Sequence, residues 1–80
     1  LTREEIFAKV ATVIANHFEI DADKVTDTMR IKEDLNADSI SVMEFVLELE
    51  EEFSTEISDE DAENIQTVGG AVDFIVSHFA

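Results

Sequence analysis

The chain has no cysteine. Disulfides, thiolate metal sites and a cysteine nucleophile are therefore excluded. Tryptophan and tyrosine are also absent, and the aromatic content is six phenylalanines. No apolar run approaches the ~20 residues of a membrane-spanning helix. The start, Leu1-Thr2-Arg3-Glu4-Glu5, lacks the basic-then-apolar order of a secretory signal. A cytoplasmic protein without stable membrane insertion is expected. Bases are scarce: five against twenty acids, for a net charge of -15. Arg3, Lys9, Lys24, Arg30 and Lys32 all precede residue 33, and residues 33–80 hold fourteen acids and no base. Nucleic acid and anionic membranes are disfavoured as partners, because both are bound through cationic patches. Partners with basic docking patches are favoured, since opposite fields speed encounter.

What is present suffices for one small core. Apolar residues make up 45% of the 80-residue chain, enough to oppose disorder despite the charge. Residues 1–80 are read as a single domain. Thr2 and Glu5 have capping-box spacing. Behind them Ile6, Val10, Val13, Ile14 and Phe18 recur at helical spacing, predicting a first helix over about residues 3–18. Residues 19–37 show no sustained period. Ile20, Val25, Met29, Ile31 and Leu35 punctuate them, so this segment is expected to pack on the core. So long a structureless loop is unusual in a compact domain, which suggests a functional loop or a hidden turn of helix.

Asp38 is a good N-cap for a second helix running to about Phe53, with Ser39 as its first residue. Ser58-Asp59-Glu60-Asp61 starts a short third helix ending near Asn64. Thr67 caps a fourth, whose buried stripe is Val68, Val72, Ile75, Val76 and Phe79. Gly69 and Gly70 lower helix propensity in its first turn, implying close packing or a flexible start. The expected fold is all-α: a small four-helix bundle with a long loop between helices 1 and 2 and a short third helix.

The second helix has two apolar faces. At 100° per residue with Ile40 at zero, Val42, Phe45, Val46, Leu49 and Phe53 fall between about 140° and 240°. They form the core stripe. Leu47 at about -20° and Met43 at about -60° join Ile40 on the opposite side, with Glu44 and Glu51 at about 40° and 20°. Carboxylates are rarely buried unpaired, and residues 33–80 offer no base to pair them. The second stripe is therefore expected to be exposed, as a docking surface framed by acids.

The most specific segment is Asp34-Leu35-Asn36-Ala37-Asp38-Ser39-Ile40. It resembles the prosthetic-group attachment motif of acyl carrier proteins, usually Asp-Leu-Gly-Ala-Asp-Ser-Leu. The likeness continues through Phe45 to Phe53 with Glu50-Glu51-Glu52, through Thr55-Glu56-Ile57, Asp59-Glu60 and Ala62-Glu63, and through Thr67-Val68 and the last helix. It covers essentially the whole chain and looks most like the carriers of bacterial type II fatty acid synthesis.

That resemblance implies a carrier rather than an enzyme. Ser39 would bear 4′-phosphopantetheine taken from coenzyme A by a holo-synthase, and the arm's thiol would hold the growing fatty acyl chain as a thioester. Asp38 would cap the helix and present Ser39. Ile40, Met43, Glu44, Leu47, Glu50 and Glu51 would dock the holo-synthase and fatty acid synthesis enzymes through their basic patches. Phe45, Val46, Leu49, Ile57, Ala62, Ile65, Ala71 and Ile75 would line a cavity for the acyl chain, or serve simply as core. A monomer is expected. Two positions depart from the family pattern: Ser41 stands where many relatives have an acid, and Ser58 where many have proline.

Other readings are weaker. A serine hydrolase needs a base beside its nucleophile. His17 and His78 instead fall near the ends of the first and last helices, and no Gly-x-Ser-x-Gly elbow exists. Asp21 and Asp23 begin an EF-hand-like spacing, but Val25, Thr26 and Lys32 occupy positions that need a ligand, glycine and glutamate. A docking protein with no covalent load, and a carrier of polyketide, peptidyl or D-alanyl groups, remain as alternatives.

Overall fold

Thr2 and Glu5 close the capping box that their spacing predicts. The Glu5 N–H donates to Thr2 Oγ1 at 3.2 Å, and the Thr2 N–H donates to Glu5 Oε1 at 2.9 Å. Helix α1 (Arg3–Phe18) follows and ends at Glu19, whose left-handed backbone directs its N–H back to the Ala15 carbonyl. This computed structural model describes residues 2–79. Leu1 and the side chain of Phe79, the last of the expected stripe, lie outside that description.

The described residues form five α-helices: α1, α2 (Ile31–Asp34), α3 (Ser39–Phe53), α4 (Asp59–Asn64) and α5 (Val68–Phe79). Three long helices and the short α4 form the expected bundle. The long connection holds a 3-10 turn over Ala22–Lys24 and the single turn α2. Neither has a period long enough to show in the sequence. Among the described residues there is no strand, only an isolated antiparallel bridge between Arg30 and Thr67. No described helix is long and apolar enough to cross a membrane.

Helix α1 lies against both α3 and α5. Its Ile6, Val10, Ala11 and Ile14 meet Val42, Phe45, Val46, Leu49 and Phe53 of α3 and Val68, Ala71, Val72 and Ile75 of α5 in one core. Phe18 packs on Phe45 with ring centroids 6.2 Å apart. Fully burying a side chain of this size contributes roughly 1.5–3 kcal/mol. Val25 and Ile31 bring the crossover into the same core.

The crossover is stitched to the start of α5 by backbone bonds. Ile31 N–H donates to the Gln66 carbonyl at 3.0 Å, Val68 N–H to Met29 at 2.9 Å and Gly69 N–H to Asp27 at 2.8 Å. Arg3 reinforces the join, donating to Asp73 at 3.0 Å and to Asp27 at 3.1 Å. Close packing accounts for Gly69: a Cβ there would sit 2.9 Å from the Asp27 carbonyl oxygen.

Helix α4 differs from the others, since none of its residues is fully buried. Ser58 caps it, accepting from the Asp61 N–H at 3.1 Å. Its anchors are Ile57 and Ile65, the buried residues on either side.

Candidate functional site

The turn into α3 follows from three residues. Asn36 takes a left-handed backbone with φ 56°. A side chain with a Cβ is disfavoured there, and glycine, then asparagine, enters most readily. That explains both the glycine of the resembling motif and the asparagine of this chain. The Ala37 N–H then returns to the Lys32 carbonyl at 3.1 Å, closing the end of α2. Asp38 is extended and caps α3, its carboxylate accepting from the Ser41 N–H at 2.8 Å. That backbone hydrogen bond is the chief reason the Asp38 carboxyl is held below its ordinary 3.8.

Ser39 is the first residue of α3 and is exposed. Among the described residues its hydroxyl makes no hydrogen bond, since the cap bond belongs to Asp38. Backbone N–H groups in the first turn of a helix have no intrahelical acceptor, so the terminus favours a nearby anion. The Asp38 carboxylate competes for the same donors.

The outer face of α3 is apolar and uncovered. Ile40 is 71% exposed, and Met43 and Leu47 are each 59% exposed. These fractions rule out burial under the crossover. Glu44 and Glu51 flank them, exposed and, among the described residues, without ion pairs. Glu50 is placed differently. It is half-buried, and its carboxylate accepts from the Ile57 N–H at 2.9 Å.

Between α2, α3 and α4 lies a groove of about 620 Å³, within the ~300–1,000 Å³ typical of small-molecule sites. Val46, Ile57, Ala62 and Ile65 of the expected cavity set line it. Phe45, Leu49, Ala71 and Ile75 are fully buried in the core and do not. Phe45 faces Phe18 of α1, on the other side of the bundle. Met43 and Leu47 also border the groove, so the exposed stripe runs into it, and Ser39 stands on its rim. The α2 wall, with Ile31 and Lys32, was not legible in the sequence, because the fold of the crossover was not.

The groups present fit a covalently attached phosphopantetheine arm: an unengaged exposed hydroxyl at a helix start, on the rim of an apolar groove. His17 pairs with Glu48 at 3.2 Å, and His78 lies against Phe74 near the end of α5. Among the described residues no three His, Asp or Glu side chains gather to hold a metal ion.

Comparison with known proteins agrees with this geometry. The family model described as a phosphopantetheine attachment site matches residues 8–75. The acyl carrier protein of Lactobacillus acidophilus is 50% identical over 78 residues, covering 98% of each chain. That of Lactobacillus johnsonii is 51% identical over the same length, again covering 98% of each. Among solved structures, an acyl carrier protein from Enterococcus faecalis is 74% identical, with a TM-score of 0.80. The match covers 96% of this chain and 98% of that one, which is described as owing its high thermal stability to novel structural components. The exposed serine at a helix start, the apolar groove beside it and these full-length matches lead to one conclusion: this chain belongs to the acyl carrier proteins, which bear phosphopantetheine and carry acyl chains rather than catalyse.

Proposed function

We propose that Ser39 is the attachment point of the arm, and that this chain delivers a growing fatty acyl group between fatty acid synthesis enzymes in the cytoplasm. One observation carries the assignment: Ser39 is exposed, its hydroxyl is unengaged, and it stands on the rim of an apolar groove. In the loading step Ser39 Oγ bonds to the phosphorus that carries pantetheine, and the pyrophosphate P–O bond of coenzyme A breaks. Adenosine 3′,5′-bisphosphate leaves, and the hydroxyl proton passes to the modifying enzyme. The attached group supplies a thiol that holds the acyl chain as a thioester.

The chain's own residues do the rest. Asp38 keeps α3 wound up to Ser39 and so fixes where the hydroxyl emerges. The apolar groove favours a hydrocarbon cargo over a polar peptidyl one, because burying apolar surface is the main source of affinity there. Val46, Ile57, Ala62 and Ile65 receive the chain, while Phe45, Leu49, Ala71 and Ile75 form the core behind it. Ile40, Met43 and Leu47 provide apolar contact to partner enzymes, and Glu44 and Glu51 attract basic patches on them. Glu50 belongs to the same acidic run, with its carboxylate turned to the groove wall.

Intact mass after incubation with coenzyme A and a broad-specificity phosphopantetheinyl transferase tests the assignment. One added phosphopantetheine is expected on the native chain and none on S39A, which stays folded. An unmodified native chain, or equal modification of S39A, would remove Ser39 from this role.

A further inference from the structure

Glu50 makes more contacts to the α3–α4 connection than a docking charge requires. Its carbonyl accepts from the Ser54 and Thr55 N–H groups, and its carboxylate reaches seven residues ahead to the Ile57 N–H at 2.9 Å. Three N–H groups of one loop thus converge on a single residue. Ser54 has a left-handed backbone, and the loop contains no glycine or proline to stiffen or relax it. Ser58, next after Ile57, is the N-cap of α4.

The position of α4 leans on such contacts, because none of its own residues is fully buried and Ala62 is only partly buried against the core. At its C-terminal end it is held through Ile65 and through the bond from Ile31 N–H to the Gln66 carbonyl. At its N-terminal end it is held through Ile57 and the Glu50 carboxylate. Glu50, Ile57 and Ala62 all line the groove, so the latch and the wall it fixes face the same space.

We propose that Glu50 is a positioning residue that fixes the start of α4 and thereby the groove's hold on a long acyl chain. The effect on the acyl chain rests on the function proposed above; the latch itself does not. The carboxylate matters here as a hydrogen-bond acceptor of a given reach. Charge and reach are separable, because E50Q keeps an acceptor oxygen at the same distance and removes the charge, whereas E50D keeps the charge and shortens the side chain by one methylene.

Amide hydrogen exchange at Ile57, followed by NMR on the unmodified chain, reads the latch directly. Exchange is expected to quicken about tenfold in E50D, as for loss of a hydrogen bond to a charged group. In E50Q and in the neighbouring charge control E51Q it is expected to stay within about threefold of the native rate. Cleavage of acyl thioesters by hydroxylamine then reads the groove on loaded protein. E50D is expected to speed cleavage of the octanoyl thioester and leave the acetyl thioester unchanged. Native exchange at Ile57 in E50D, or equally fast exchange in E50Q, would overturn the latch. Equal acceleration of acetyl and octanoyl cleavage would overturn its link to the groove. Failure of Ser39 to load refutes the attachment site alone and leaves the exchange measurement to decide on Glu50.

Discussion

Gly69 and Gly70 are adjacent in the first turn of α5, yet alanine is expected to be costly at the first and nearly neutral at the second. In a helix interior, alanine is favoured over glycine by up to about 1 kcal/mol. At Gly69 the new Cβ would sit 2.9 Å from the Asp27 carbonyl oxygen, a backbone atom that also accepts the Gly69 N–H at 2.8 Å. Relieving that clash means moving the crossover, and overpacking of this kind costs about 1–3 kcal/mol. The net expectation for G69A is a loss of about 1 kcal/mol, with an upper bound of about 2. At Gly70 the nearest atom is the Thr67 hydroxyl oxygen at 3.2 Å, on a side chain that is able to yield. That hydroxyl accepts from the Gly70 N–H at 3.0 Å, so the propensity gain is partly offset by a strained cap. G70A is therefore expected within about 0.5 kcal/mol of the native chain. For a domain of this size 1 kcal/mol is worth about 4–8 °C in Tm. Urea unfolding followed by circular dichroism, with the slope m unchanged, gives the comparison. A G69A chain as stable as G70A would refute the claim that backbone contact with Asp27 is what requires glycine.

Two further predictions concern the turn into α3. At Asn36, with its left-handed backbone, N36V is expected to cost about 1–2 kcal/mol and N36G less than about 0.5, read as shifts in urea midpoint; equal midpoints would show that the turn relaxes out of that conformation. The Asp38 carboxyl is held below its ordinary value chiefly by the Ser41 N–H, so as pH falls the unfolded chain takes up its proton first. Its contribution is then full at neutral pH and lost as pH falls through 3.8 and below. D38S retains a capping oxygen without this titration, so the Tm advantage of the native chain over D38S should shrink between roughly pH 6 and pH 3. A difference constant across that range would count against the cap as its source.

Much of this protein is decided by its sequence alone, for local reasons. Helix starts at Thr2, Asp38, Ser58 and Thr67 depend on short side chains reaching N–H groups within the same turn, and that information is contiguous. The two faces of α3 follow from 3.6-residue periodicity and from the lack of any base after Lys32. The Asp38-Ser39 motif is equally local, which is why the family was visible before the fold. The tertiary structure decides what depends on contacts between distant residues. Residues 19–37 have no period to read, and α2 with its wall of the groove is set by bonds from Ile31, Val68 and Gly69 across the crossover. Which residues of the expected cavity set line the groove depends on the side of the bundle each one faces: Val46 opens to it, whereas Phe45, one residue earlier, turns to Phe18. Glu50 looks the same in sequence as Glu51. Only the return of the chain at Ile57 separates them, because a carboxylate's role is set by the donor that folding brings to it.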